Sequence, residues 1–305
     1  MTEPFKIAAK DNLDIHGHVW SPEGDLKLVV QILHGMGEYA GRYDTFAKEL
    51  NAASIAVVAH DFRGHGPNAE LHGHYADKDG WRMNLDDIRV VNEYARRQFP
   101  DKPLVLMGHS MGSFFAQNYA MDHSLDGLIL SASTWPRKAL IYPGRLVAKI
   151  ESLRLGRRGK SAMLDKMGFG DFNKPYQPAR TDYDWLSRDE AQVDKYIEDP
   201  LCGGTFTTAF WLDVLKGMLG VGSDKALLRI PSDLPILITG GEDDAVGGDD
   251  GLGKLMLHYA QTMHQRLKFK IYEGGRHEML FETNRDEVVH DLIDWLNAIA
   301  TRHSS

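Results

Sequence analysis

The chain has 305 residues, of which 43% are hydrophobic, so it can bury a substantial core in one compact unit with an insertion. Its 35 Lys and Arg against 43 Asp and Glu give a formal charge of −8, which disfavours binding to nucleic acid. A single cysteine excludes an internal disulfide framework, and the chain has neither a secretion-signal pattern nor an apolar stretch near 18 residues, so we expect a cytoplasmic protein without a membrane span.

The chain begins with the pattern of a hairpin, and alternating strands and helices follow it. Segments 5–9 and 13–20 partly alternate apolar and polar residues and precede a Ser-Pro-Glu-Gly turn. Short apolar runs, typical of strands buried on both faces, follow at 27–33, 54–60, 103–108, 126–132, 234–240 and 267–272. Helical spacing of apolar residues occurs at 42–53, 80–98 and 286–300. The alternation predicts an α/β fold with a mostly parallel, doubly wound sheet of eight strands.

One interval, from Trp135 to about Ile230, breaks this alternation. It has no strand-like run, and its Arg, Lys, Tyr, Trp and Leu residues fall in irregular helical patches. We interpret residues 135–230 as a helical cap inserted after the sixth strand, and residues 1–134 and 231–305 as the core. Within 137–166 nine Lys and Arg face two Asp and Glu, a local charge of +7, so the remainder of the −8 chain carries −15.

An apolar stripe in this insertion has two interpretations. Leu146, Val147, Ile150 and Leu153 share one face of a predicted helix beside the basic stretch 154–160. We expect the stripe to pack onto the core and the basic residues to be solvated. The alternative is peripheral contact of the cap with a membrane surface that contains anionic lipid.

The apolar run at 103–108 leads into Gly108-His-Ser-Met-Gly112. This matches G-x-S-x-G, in which the serine lies on a sharp turn from strand to helix with its Oγ clear of the sheet. So tight a turn crowds its neighbours, which accounts for the glycine on either side. We predict that Ser110 is a nucleophile, and the alternative is a plain glycine-rich turn.

A serine hydroxyl needs a base to accept its proton and an acid to orient that base. The acid is expected just past a buried strand, where Glu242, Asp243 and Asp244 follow two glycines, and the spacing alone leaves Asp243 and Asp244 open. Of the histidines further along, only His277 lies in a loop directly after a buried strand, and we predict that it is the base. The others are His258, His264, His290 and His303.

Acyl transfer also requires backbone N–H groups directed at the developing oxyanion. One comes from the residue after the nucleophile and the other from the loop after the third strand. Here these residues are Met111 and Met36, and Met36 lies in the His-Gly-Met-Gly sequence 34–37. We predict that the N–H groups of Met36 and Met111 form an oxyanion hole, and a flexible turn is the alternative for 34–37.

Six segments occur in the order of one known family: HGMGEYAGRY (34–43), AHDFRGHG (59–66), GHSMGS (108–113), DPLCGG (199–204), GGEDDAVG (240–247) and GGRHEMLFE (274–282). With them the chain resembles the monoacylglycerol lipase and lysophospholipase branch of the α/β-hydrolase superfamily, also described as serine aminopeptidase S33-like. The resemblance implies an α/β-hydrolase fold with a lid over the site. It favours Asp244, two residues before Val246, as the acid, and it matches the family histidine to His277 and the oxyanion donors to Met36 and Met111.

These features predict a serine carboxylic-ester hydrolase that acts through an acyl-enzyme without a metal or an organic cofactor. Mainly from the resemblance, we expect its substrate to be a monoacylglycerol or a lysophospholipid. The cap is rich in Leu, Phe, Trp, Tyr and Met, which can line an acyl tunnel.

Other functions remain open at this point. The same residues can cleave amides in an aminopeptidase, where the acidic stretch 187–199 would bind a free amine. A non-catalytic binding protein on the same fold is disfavoured because all three residue types occur in order. His72, His74 and Asp77 can begin a zinc site, but without a further ligand pattern we expect a polar surface loop.

Overall fold

A computed structural model describes residues 1–246 and 250–303. Its strands form one eight-stranded sheet in the order β1-β2-β4-β3-β5-β6-β7-β8. They are β1 (Thr2–Ala8), β2 (Asp14–Trp20), β3 (Leu28–Leu33), β4 (Ile55–His60), β5 (Leu104–His109), β6 (Gly127–Ser131), β7 (Ile236–Gly241) and β8 (Leu267–Tyr272). Strands β1 and β2 pair antiparallel with each other, β2 pairs antiparallel with β4, and all other pairs are parallel. The predicted mostly parallel sheet of eight strands is confirmed.

Helices cover both faces of the sheet. They are α1 (Asp44–Ala52), α2 (Gly80–Gln98), α3 (Met111–Ala120), α4 (Lys138–Leu155), α5 (Ala162–Phe169), α6 (Glu190–Glu198), α7 (Thr208–Val221), α8 (Asp224–Leu227), α9 (Gly251–Gln261) and α10 (Arg285–His303). Apolar residues of α1 and α10 fill one core cluster, and those of α2, α3 and α9 fill clusters on the other side. Strands β3 to β7 are buried along their whole length, which explains their continuous apolar runs.

Residues 135–230, which we call the helical segment, connect β6 to β7 and contain α4 to α8. Helix α7 joins this segment to the rest of the molecule because it packs against α2 and α3 as well as α4. Its buried Phe210 and Val214 share a core cluster with Phe115 of α3. The helical segment therefore lies against the helix that begins directly after Ser110.

Of the apolar stripe on α4, only Val147 packs against the core, where it is partly buried, so the prediction is wrong for the other three residues. Its exposed members are Leu146 (61% exposed), Ile150 (55%) and Leu153 (90%). The face of α4 that is buried instead carries Ile141, Ala148 and Glu151. Glu151 is tolerated there because Arg154 and the Ser161 hydroxyl both donate hydrogen bonds to its carboxylate.

Across residues 1–246 and 250–303, no helix combines the length and the apolar composition needed to cross a bilayer.

Candidate active site

Ser110 lies between β5 and α3, at the carboxyl edge of the sheet. Its backbone angles are φ 49° and ψ −117°, a conformation that L-residues seldom adopt. Hydrogen bonds on both sides hold the turn: the Ser110 N–H donates to the Ser131 carbonyl at 2.9 Å, and the Ser110 carbonyl accepts from the Ser113 N–H and Oγ at 2.9 and 2.6 Å. The strained turn is thus fixed by its neighbours.

The glycines on either side of Ser110 are required by close packing. A Cβ on Gly108 would lie 2.4 Å from the Gly112 carbonyl oxygen. A Cβ on Gly112 would lie 2.2 Å from the Leu33 carbonyl oxygen in β3. Any side chain at either position would push α3 away from the strands, so the crowding predicted for this turn is confirmed.

The three predicted polar residues come together at this edge of the sheet. The Ser110 Oγ lies 2.8 Å from His277 Nε2, and His277 Nδ1 lies 2.9 Å from each carboxylate oxygen of Asp244. Ser110 follows β5, Asp244 follows β7 and His277 follows β8, so three carboxyl ends of parallel strands supply them. Only 3% of the His277 side chain and 7% of the Asp244 side chain are exposed.

The structure brings Asp244, and not Asp243, to the histidine. Strand β7 ends at Gly241, so Asp244 is the third residue after it, and its Oδ1 also accepts a hydrogen bond from the Val246 N–H at 2.8 Å. Asp243 is exposed, and its backbone N–H and carbonyl bond to Gly275 and Tyr176. Gly247, the last residue of segment 240–247, lies outside the described residues.

The environment of His277 sets its charge and its tautomer. Burial alone would lower the pKa of His277, but the adjacent Asp244 carboxylate outweighs it and raises that pKa above the usual value. In the neutral ring, Nδ1–H donates to Asp244, which leaves Nε2 to accept the Ser110 hydroxyl proton. The imidazole can therefore take up a proton from Ser110 and is stabilised when it does so.

The loop that carries Met36 lies directly against the serine. A Cβ on Gly35 would be 3.4 Å from the Ser110 Cβ, and both Met36 and Met111 line the same cavity as Ser110. Among the described residues, the Met36 N–H has no hydrogen-bond partner. Met111 is the first residue of α3, where backbone N–H groups have no partner within the helix. Both residues therefore lie beside Ser110, and their role as oxyanion donors stays a prediction.

A buried ion cluster behind this loop was not found from sequence. The Glu38 carboxylate accepts from the Gly35 N–H at 2.5 Å, the Tyr43 hydroxyl at 3.0 Å and Arg42 at 2.9 Å. Arg42 also binds both oxygens of Glu278, at 2.7 and 2.8 Å. Burial would raise the pKa of Glu38, but Arg42 holds it below its usual value. Glu278 follows His277, so the cluster links the Met36 loop to the histidine loop.

The helical segment also holds the histidine loop. The Glu278 N–H donates to the Leu186 carbonyl at 2.8 Å, and the His277 N–H donates to the Trp185 carbonyl at 3.4 Å. The ring centroids of Trp185 and His277 lie 5.1 Å apart. No sequence pattern marked these residues, because backbone carbonyl contacts between distant loops carry no residue-type signal.

A cavity of about 230 Å³ connects Ser110 to the helical segment. Most of its wall is apolar and aromatic, with Trp135, Leu140, Ile141, Phe169, Phe172, Trp185, Trp211, Val214, Leu215 and Met218 contributed by the helical segment. Among the described lining residues the only carboxylates are Glu38 and Glu278, and Arg42 pairs with both. Of the acidic stretch 187–199, only Tyr196 lines the cavity. Glu190 and Asp194 of that stretch instead pair with Arg180 at the surface.

The suggested beginning of a zinc site is not assembled in the described residues. No group of three or more His, Cys, Asp or Glu in that part of the chain is arranged to hold a metal ion. His74 instead contacts the Thr207 hydroxyl at 3.0 Å through Nδ1 and Asp77 at 3.2 Å through Nε2.

Comparisons with known proteins find a matching family and similar relatives. The family model described as "Serine aminopeptidase, S33" matches residues 24–284. The monoglyceride lipase of Mus musculus is 27% identical over 290 residues, covering 91% of this chain and 85% of the lipase. The monoacylglycerol lipase of Mycolicibacterium smegmatis is 26% identical, covering 91% of each chain.

A solved structure is similar to this chain over nearly its whole length. A thermostable carboxyl esterase from Bacillus coagulans, in complex with glycerol, superimposes with a TM-score of 0.90 at 25% identity, covering 98% of this chain and 99% of the esterase. The match of the family model to most of the chain, together with the eight-stranded sheet, shows that the chain belongs to the serine aminopeptidase S33 family of α/β-hydrolases.

Proposed function

We propose that the protein is a serine carboxylic-ester hydrolase that acts through an acyl-enzyme. The observation that carries this proposal is the continuous contact from the Ser110 hydroxyl through the His277 imidazole to the Asp244 carboxylate. Such a chain activates an alcohol at neutral pH because the base accepts its proton as the new bond forms.

In the proposed reaction, Ser110 Oγ attacks the ester carbonyl carbon while its proton moves to His277 Nε2. The carbonyl oxygen becomes an oxyanion that accepts hydrogen bonds from the Met36 and Met111 N–H groups. The C–O bond to the alcohol then breaks, and His277 returns the proton to the leaving oxygen. Water then attacks the acyl-enzyme carbonyl while its proton moves to His277. The bond to Ser110 breaks, His277 returns the proton to the Ser110 oxygen, and the carboxylic acid leaves.

We propose a single-chain lipid ester, a monoacylglycerol or a lysophospholipid, as the substrate, with the helical segment acting as a cap. The apolar wall beside Ser110 suits an acyl chain, and the relatives are named monoglyceride and monoacylglycerol lipases. An aminopeptidase needs a carboxylate free to pair with the substrate amine. Both carboxylates of the described wall are already paired with Arg42, which favours the ester over the amide.

A fluorophosphonate probe should label the wild-type protein and fail to label Ser110→Ala. The same variant should lose at least about 10⁴-fold in kcat on p-nitrophenyl acyl esters, since the nucleophile is absent. Turnover of esters should exceed that of aminoacyl anilides and rise as the acyl chain lengthens from acetate. Labelling that persists in Ser110→Ala, or faster turnover of the anilides, would contradict the proposal.

We further propose that α4 brings the protein to lipid surfaces. Tyr142, Leu146, Ile150 and Leu153 recur at helical spacing and are all exposed. They lie within the stretch 137–166, whose local charge of +7 attracts anionic lipid. Leu140, at the start of α4, is exposed and also lines the cavity, so the apolar face continues into the wall beside Ser110.

The triple variant Leu146→Ser/Ile150→Ser/Leu153→Ser should weaken binding to vesicles of phosphatidylglycerol and phosphatidylcholine at least about 10-fold, because three exposed apolar side chains that would insert into the lipid surface are lost. Cosedimentation measures this effect, and turnover of a water-soluble ester should be unchanged. Leu228, Leu257 and Met263 are equally exposed outside α4, and their replacement by serine is the matched control. Equal vesicle binding by the two triple variants would exclude α4 as the docking face.

A further inference from the structure

His34 has both ring nitrogens engaged by the backbone, in a way that fixes its tautomer. Its Nε2 accepts a hydrogen bond from the Phe62 N–H at 2.9 Å, so in the neutral ring the proton is on Nδ1. The Nδ1–H group lies 2.7 Å from the Gly35 carbonyl oxygen and donates to it. His34 is 1% exposed, and burial lowers its pKa well below the usual value, so the ring is neutral.

The Gly35 carbonyl and the Met36 N–H belong to the same peptide unit. A peptide bond is planar and trans, so its C=O and N–H point in opposite directions. A donor that holds the Gly35 carbonyl therefore also sets the direction of the Met36 N–H. The preceding peptide is held separately, because the Gly35 N–H donates to Glu38 at 2.5 Å.

Without such a donor, the Gly35–Met36 peptide could leave its present orientation at little energetic cost. Gly35 has no Cβ, so its ψ can change with little steric resistance, and the peptide that follows it can rotate. A rotated peptide would present the carbonyl oxygen, not the N–H, toward the reacting carbonyl. Hydrogen bonding by His34 favours the orientation that keeps the N–H available.

We propose that His34 is a positioning residue that directs the Met36 N–H toward the oxyanion by holding the Gly35 carbonyl. This inference rests on the proposed function, since it concerns the oxyanion hole of that reaction. It goes beyond that function because it assigns His34 a role separate from the residues that contact the substrate. The Phe62 N–H sets the His34 tautomer, and the Nδ1–H group of that tautomer then holds the Gly35–Met36 peptide.

Two substitutions separate positioning from general structural support. His34→Asn keeps a donor close to the Nδ1 position but loses the partner of the Phe62 N–H. His34→Gln keeps an acceptor for the Phe62 N–H close to the Nε2 position but loses the donor to the Gly35 carbonyl. A misdirected oxyanion donor costs about 10²-fold in kcat. We therefore expect His34→Gln to lose about 10²-fold in kcat and His34→Asn to lose at least about 10-fold less, with similar KM values.

His60 provides the matched control. It is also a buried histidine near Phe62, with ring centroids 5.6 Å apart, and neither of its nitrogens has a partner among the described residues. His60→Asn and His60→Gln should have the same kcat. Thermal unfolding of all four variants shows whether kcat merely follows stability.

The outcomes distinguish this inference from the proposed function. Equal kcat values for His34→Asn and His34→Gln, or kcat values that follow the melting temperatures, would overturn the role of His34 while turnover still depends on Ser110. Full turnover by Ser110→Ala would instead overturn the proposed function.

Discussion

Replacing Asp244 with asparagine is expected to lower kcat for ester hydrolysis by about 10⁴-fold, with little change in KM. The asparagine amide can turn its NH₂ group toward His277 Nδ1, which forces the ring proton onto Nε2. Nε2 is the atom that lies 2.8 Å from the Ser110 hydroxyl, and a protonated Nε2 cannot accept the serine proton. The loss should therefore appear in the chemical step and not in substrate binding.

Asp243→Asn is the matched control because it makes the same change one residue away. The Asp243 side chain is exposed and has no hydrogen-bond partner among the described residues, so kcat should remain within about twofold of wild type. Steady-state kinetics on a p-nitrophenyl ester, with melting temperatures to verify folding, measures both variants. A large loss in Asp243→Asn together with an active Asp244→Asn would show that the acid is misassigned.

The difference between these two aspartates shows how far sequence reasoning reached. The acid was expected just past a strand, but the count depends on where the strand ends, and the apolar run alone did not distinguish Gly240 from Gly241. In the structure β7 continues to Gly241, which puts Asp244 at the third position. Ser110 was easier to predict because its tight turn requires glycine at positions 108 and 112, which are close to it in the sequence.

The prediction for the apolar stripe on α4 was wrong for a related reason. Spacing identifies which residues share a face of a helix, but it does not identify what covers that face. Helix α4 packs inward through Ile141 and the small Ala148, and even through Glu151, whose charge is satisfied by Arg154 and Ser161. Without knowledge of these partners, the more apolar face was expected to be the buried one.

Contacts between distant segments were the least accessible to sequence reasoning. Arg42 and Glu278 are separated by 236 positions, and neither lies in a pattern that indicates an ion pair. Their segments carry the family resemblance, but their contact with each other follows only from the fold. With Glu38 they form one buried cluster in which a single cation balances two carboxylates.

Arg42→Met is expected to lower the free energy of unfolding by about 3–5 kcal/mol, because it leaves two buried carboxylates without a counter-ion. The side chains of Arg42, Glu38 and Glu278 are only 9%, 3% and 6% exposed, so water cannot replace the guanidinium. Methionine retains much of the packing against the Phe281 ring, which lies 4.3 Å from the guanidinium carbon, so the loss reflects charge. Urea unfolding followed by tryptophan fluorescence measures it.

The double variant Arg42→Met/Glu278→Gln distinguishes charge from packing. Removing one uncompensated carboxylate should recover at least about 1 kcal/mol relative to Arg42→Met alone, although a further side chain has been changed. In Arg42→Met, the buried Glu38 carboxylate loses the cation that holds its pKa down, so that pKa should be raised. Stability that is present below the unfolded-state pKa of Glu38 is then lost as pH rises through its folded-state pKa. The deficit relative to wild type should therefore be larger at pH 8 than at pH 5. A deficit that does not change with pH, or a double variant less stable than Arg42→Met, would show that packing and not charge holds the Met36 and His277 loops together.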